Sequence, residues 1–296
     1  MKKAAIKQEL EGVIPILPVP FVSSGAVDEA SFRRVVEAAI GDGVHGVALF
    51  GLASEYAKLA DSERVQLTRA LVDQAAGRVP AIISITHHSL EVAKREAVTA
   101  AEIGADALMV LPPFFLSPGA EAVESHIGAI AAEVDLPVIV QYAPIETGSS
   151  LRAEGLAALH NRHGNFEYTK VDVVPSGPMV TRVKSVGLKA MVGYMGLSLP
   201  QDVERGAVAV LPTASVSKAF VHLWKLLDEV PGRRPKVSSA VIAFANADDA
   251  IRGDAGGRRE GFSSSPRLAG LRLLPRAALE SRCRPSAGDR PFVRRI

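Results

Sequence analysis

The stretch Phe166-Glu167-Tyr168-Thr169-Lys170-Val171-Asp172-Val173-Val174 has the β-branched and aromatic content of a strand, yet a lysine stands in its middle. A strand of a parallel sheet is usually buried on both faces, so an ammonium there costs several kcal/mol unless it is paired or deprotonated. Lys170 therefore has two readings. In one, its stem lies along apolar surface while its head reaches water. In the other, it is an unprotonated amine that attacks a carbonyl and forms a Schiff base.

Outward from this strand, up to about residue 230, one phrase recurs: an apolar run, a loop, then a helical pattern. The runs are 13–17, 46–50, 81–85, 107–111, 138–142, 167–171, 188–192 and 208–211, which predicts eight strands. Helices are predicted over 28–40 with Asp28 as N-cap, 61–76, 89–103 and 216–230. Eight βα units of roughly 30 residues fit a (β/α)8 barrel, an α/β fold, better than an open doubly wound sheet. No G-x-G-x-x-G follows the first strand, which counts against a dinucleotide site.

Barrel chemistry sits at the C-terminal ends of the strands. That rule selects the loop Gly51-Leu52-Ala53-Ser54-Glu55, Thr86-His87-His88, Pro112-Pro113, Tyr142, Lys170, Gly193-Tyr194, and the end of the last run at Leu211 with Pro212-Thr213. Alternation puts Val138, Val140 and Tyr142 on one face of their strand and Phe166, Tyr168 and Lys170 on one face of the next. If both faces point inward, a phenol and an amine share a cavity, as imine chemistry requires. The competing reading of Tyr142 is a buried aromatic. His87 and His88 could touch substrate hydroxyls. Adjacent strand residues point oppositely, so the pair does not predict a metal site, and none is expected.

Residues 12–230 resemble the dihydrodipicolinate synthase / N-acetylneuraminate lyase superfamily of Schiff-base barrels. The resemblance is carried by Ile16-Leu17-Pro18-Val19-Pro20-Phe21, the Gly51…Glu55 loop, Pro112-Pro113-Phe114-Phe115, Tyr142-Ala143-Pro144…Thr147-Gly148, and Lys170. It implies that Lys170 forms an imine with a 2-oxo acid, pyruvate or a pyruvate-bearing sugar acid, with no cofactor. It also implies that Tyr142 shuttles protons and that the loop residues Gly51, Ala53, Ser54 and Glu55 bind the substrate carboxylate. Gly193 would let the backbone approach the imine, and Leu211 would line the substrate site. The family leads one to expect a homo-oligomer, a dimer or tetramer if the C-terminus permits.

The departures bear on substrate. Leu52 and Ala53 stand where the synthases commonly hold two threonines, and Glu146 stands near the place of their carboxylate-binding arginine. An acid there repels a second substrate carboxylate. Gln141-Tyr142-Ala143-Pro144 and Lys170-Val171-Asp172…Pro175 look more like the branch acting on 2-keto-3-deoxy sugar acids, dehydratases included. Aldol cleavage or condensation leads, dehydration is the alternative, and a catalytically idle barrel used for binding or regulation is a third reading.

Composition sets the frame. The 296 residues, 48% hydrophobic and 22% charged, are enough for one large core. A lone cysteine, Cys283, excludes an internal disulfide framework and fits a reducing, cytoplasmic setting. The polar N-terminus and the lack of long apolar runs predict neither a signal peptide nor a membrane partner.

The net charge of +2 hides an asymmetry: residues 231–296 hold 13 Arg and one Lys against six acidic residues, a balance of +8, which leaves −6 for 1–230. This Arg-rich tail replaces the helices expected of the family. It lacks the lysine, aromatic interleaving and helical charge spacing of a nucleic-acid arm, so no nucleic-acid partner is expected. It reads as the product of a frame shift near residues 231–245, the rival being a genuine basic arm. The predicted domains are thus a catalytic barrel, 1–230, and the tail, 231–296.

Overall fold

The structure, a computed structural model, describes residues 9–148 and 151–229. The Arg-rich segment 231–296 and its predicted character lie outside the described residues.

Eight parallel strands alternate with helices. The strands are β1 (Gly12–Val13), β2 (Val47–Leu49), β3 (Ala81–Ile85), β4 (Ala107–Val110), β5 (Val138–Tyr142), β6 (Phe166–Val171), β7 (Lys189–Val192) and β8 (Ala207–Val210). The α-helices are α1 (Glu29–Gly41), α2 (Asp61–Ala75), α3 (Leu90–Ile103), α4 (Ala120–Ala131), the single turn α5 (Pro144–Thr147), α6 (Ala153–Arg162), α7 (Gly177–Ser185), α8 (Leu199–Glu204) and α9 (Ser217–Glu229). All eight apolar runs are strands, although the first is regular over only two residues. Asp28 caps α1 as predicted, its Oδ1 accepting from Ser31 N–H at 2.9 Å.

The strand order is β1-β8-β7-β6-β5-β4-β3-β2. The chain beyond β1 closes the ring: Leu17 N–H donates to Ala48 O at 2.9 Å, Ala48 N–H to Pro15 O at 3.0 Å, and Ile16 bridges both Ala48 and Thr213. Alternation then splits the core in two. One cluster fills the lumen with Ile14, Ile16, Ala48, Ile82, Met109, Ile139, Tyr168, Met191 and Leu211. The larger cluster lies between strands and helices and includes Val138, Val140, Phe166, Val171 and Val192. The architecture is the predicted (β/α)8 barrel.

The two strands that matter most are not in simple register. Val138 pairs with Phe166 but Ile139 pairs with Tyr168, so Glu167 is an extra residue on β6. Below the bulge Phe166 faces the helices, and above it Tyr168 and Lys170 face the lumen. Had the pairing of Val138 with Phe166 continued unbroken, Tyr142 would oppose Lys170. The shift puts Gln141 opposite Lys170 and Tyr142 opposite Val171 instead.

Candidate active site

The lumen is apolar up to the layer of Ile139, Tyr168 and Met191, and turns polar one layer higher, at its C-terminal mouth. Lys170 stands there, 6% exposed, and its Nζ donates to Asp172 Oδ2 at 2.5 Å. Asp172 is equally buried, and the same oxygen accepts from Gln141 Nε2 at 2.7 Å. A buried ammonium and carboxylate each require a partner, and here each supplies the other's. Lys170 and Asp172 are two positions apart on one strand and so share a face, whereas Gln141 had no role in the sequence reading. The signal for Gln141 is a polar residue in the otherwise apolar run Val138-Ile139-Val140-Gln141.

Gly193 ends β7 against this pair. A Cβ built on it would lie 1.6 Å from Asp172 Oδ1 and 3.3 Å from Lys170 Cε. Its expected role, close backbone approach to the amine, thus extends to the amine's counter-ion. Leu211 is a buried lumen residue, tied by its N–H to Val192 O at 2.8 Å.

Tyr142, at the C-terminal end of β5, is half-buried and packs against the larger cluster, and in the ladder it pairs with Val171 while Gln141 stands opposite Lys170.

Ser54 differs from the sequence reading. Its hydroxyl donates to Leu17 O at 2.6 Å and accepts from Phe50 N–H at 3.0 Å, so the donor expected for a substrate carboxylate instead fastens the loop to the first strand. Gly51 is where it is because Ile16 fills the adjacent space: a Cβ there would meet Ile16 Cγ2 at 2.8 Å. Ala53 packs on the lumen cluster, and Glu55, in the left-handed conformation at φ 54°, forms an ion pair with Lys58.

Other side chains complete the rim. His88 stacks edge-on against Phe114 with ring centroids 4.5 Å apart, and His87 Nδ1 accepts from Ser89 N–H at 2.9 Å. Tyr194 donates its hydroxyl to Glu146. Burial, then the Glu146 hydrogen bond and charge, then the Asp172 charge, push its phenol well above the ordinary value. Six of the seven non-glycine residues with positive φ among the described residues lie in loops at this end: Phe50, Glu55, Leu116, Ser117, Tyr194 and Met195. Backbone strain of this kind gathers where a site holds the chain in place.

A closed parallel barrel with a buried, carboxylate-paired lysine at its C-terminal mouth defines a class: barrels equipped for amine chemistry on a carbonyl. Comparison with known proteins makes the class specific. The sequence profile of the Dihydrodipicolinate synthetase family matches residues 9–167, more than half of the chain, and the chain belongs to that family. The matched region ends three residues before Lys170.

An L-2-keto-3-deoxyarabonate dehydratase from Azospirillum brasilense is 28% identical over 208 residues, covering 68% of this chain and 67% of the relative. A 4-hydroxy-tetrahydrodipicolinate synthase from Salinibacter ruber is 33% identical over 149 residues, covering 50% of this chain and 49% of the relative. The chain therefore spans about half to two thirds of these relatives.

Among solved structures, a crystal structure of dihydrodipicolinate synthase matches with a TM-score of 0.77 at 22% identity, covering 92% of this chain and 98% of that one. A prophage protein of the same family from E. coli K12, in complex with pyruvate, matches with a TM-score of 0.74 at 20% identity, covering 93% and 97%. Among the described residues, no helix is long and apolar enough to cross a membrane.

Proposed function

We propose that the chain is a class I lyase in which Lys170 forms a Schiff base with a 2-oxo acid, pyruvate or a 2-keto-3-deoxy sugar acid. One observation carries the reading: a buried lysine at the barrel mouth touches one carboxylate, Asp172, which Gln141 also holds. Asp172 accepts a proton from the Lys170 ammonium, and the freed amine adds to the ketone carbon. The same proton returns to the carbinolamine oxygen, which leaves as water. The iminium that results is the electron sink, so the step calls on no further cofactor. Gln141 holds the Asp172 carboxylate in place beside the amine, and Tyr142, at the end of the adjacent strand, remains the proton shuttle that the resemblance implies.

The Gly51–Glu55 loop serves as the carboxylate cradle through its backbone, with Ser54 holding the loop to Leu17 O rather than touching the substrate. Gly193 and Leu211 form the wall. Dehydration on the same scaffold is the second reading, and the similarity to the keto-deoxyarabonate dehydratase over 208 residues supports it. We place the enzyme in the cytoplasm as a homo-oligomer. The exposed apolar side chains Phe115 and Leu116 on the loop after β4 and Ile145 on α5 suit a contact between copies.

Product analysis with a panel of 2-keto-3-deoxy sugar acids tests the activity. Release of pyruvate, or of a dehydrated acid, supports a lyase; complete recovery of every acid in the panel contradicts it.

A further inference from the structure

Ile82 of β3 belongs to the lumen cluster, whereas Ile83 and Ile85 belong to the outer one, so alternation turns Ser84 into the lumen. Its ladder partner on β4, Met109, is a lumen residue too. Ser84 is 5% exposed, and its Oγ finds no hydrogen-bond partner in the protein. A buried hydroxyl left in that state costs free energy, so its place calls for an explanation.

Each lumen layer of such a barrel takes one side chain from every second strand. β3, β5 and β7, with the chain just beyond β1, supply Ile82, Ile139, Met191 and Ile14, all members of the lumen cluster. Two residues farther along each come Ser84, Gln141, Gly193 and Ile16, the next layer toward the mouth. The other three members of this layer already have a task. Gln141 Nε2 donates to Asp172 Oδ2 at 2.7 Å, and Gly193 leaves room for Asp172 Oδ1 and Lys170 Cε. Ile16 backs the Gly51 turn, where a Cβ would meet its Cγ2 at 2.8 Å. The layer therefore runs from the carboxylate cradle after β2 to the amine of β6, with Ser84 between Ile16 and Gln141. Because β3 is the ladder neighbour of β2, the hydroxyl lies on the cradle's side of the lumen.

We propose that Ser84 donates its hydroxyl proton to the carboxylate of the 2-oxo acid bound on Lys170, and so selects acids over neutral carbonyl compounds. This role rests on the Schiff-base reading above and deepens it. Ser84 supplies what Ser54 cannot, since the Ser54 hydroxyl is spent on Leu17 O and Phe50 N–H. A hydroxyl bonded to no protein group gives up nothing when the acid arrives, and its bond to a charged oxygen is of the stronger kind. The low dielectric of a buried layer strengthens that bond further. A ketone without the carboxylate gains nothing from Ser84, so the preference for 2-oxo acids rises by the whole of this bond.

Wild-type chain and Ser84→Ala are titrated with pyruvate in the presence of cyanoborohydride, and the reduced adduct is followed by intact mass. Ser84→Ala is expected to raise the half-saturating pyruvate concentration about 10–100-fold, the scale of one hydrogen bond to a charged group. The labelling rate at saturation stays within about twofold of wild type, because the lost contact is one of ground-state binding. Hydroxyacetone, the same ketone with a neutral alcohol in place of the carboxylate, should label both chains at equal rates. Thermal melts without ligand should give Ser84→Ala a Tm no lower than wild type, since alanine removes a hydroxyl that has no partner to lose. An unchanged pyruvate titration, a hydroxyacetone rate that falls alongside it, or a lower Tm contradicts the role of Ser84 and leaves the imine standing. A wild-type chain that pyruvate never labels contradicts the Lys170 imine itself, and the role of Ser84 with it.

Discussion

Lys170 and Asp172 are two positions apart on one strand, which is why their side chains share a face and why one carboxylate oxygen holds the amine at 2.5 Å. Gly193 completes this arrangement by having no side chain. Gly193→Ala would set a methyl group 1.6 Å from Asp172 Oδ1, so either the carboxylate or the strand end must move. We expect this variant to stay folded and to lose at least about 10²-fold in kcat/KM, the scale of a misplacement of about 1 Å; kinetics beside a thermal melt check it, and wild-type activity contradicts it. The lysine was legible in the sequence because an ammonium in a buried strand demands an explanation. Asp172 follows from alternation along the same strand, but Gln141 was not legible, because neighbours across strands depend on register, and a one-residue bulge is invisible to a pattern of period two.

Among the elements, β6 and the chain around β1 decide most. The bulge at Glu167 sets Gln141, rather than Tyr142, opposite Lys170, so the difference between the expected and the observed pairing comes down to one extra residue. The short β1 is secured from outside by His45, whose Nδ1 accepts from Val13 N–H at 3.1 Å, and Gly12 is bare because the His45 ring lies over it. Burial lowers the pKa of His45, and also of His126 and His163, below the ordinary histidine value. A lowered value means that the unfolded chain binds these protons more readily than the folded one. Stability is therefore highest where the imidazoles are neutral and falls as pH drops through about 6.5. Thermal melts from about pH 7.5 to about pH 5 should show a falling Tm, with a smaller fall in His45→Gln; a Tm that rises toward pH 5 contradicts this account.

At the scale of the whole molecule, the barrel was legible from eight apolar runs at a steady spacing, since each run must be buried by its neighbours and by the helix that follows it. What the runs could not convey was how their ends meet at the mouth, which closes through loops held at positive φ rather than through regular pairing. The apolar side chains exposed on those loops make a prediction at this scale. Replacing Phe115 and Leu116 by Glu should shift sedimentation from an oligomer to a monomer, and a wild-type chain that already sediments as a monomer contradicts the subunit contact. The central claim concerns covalent chemistry at one nitrogen. Treatment with pyruvate and borohydride, followed by intact-mass measurement, should show one reduced pyruvate adduct per wild-type chain and none in Lys170→Ala. A wild-type chain that remains unmodified, or an adduct that persists without Lys170, would contradict it.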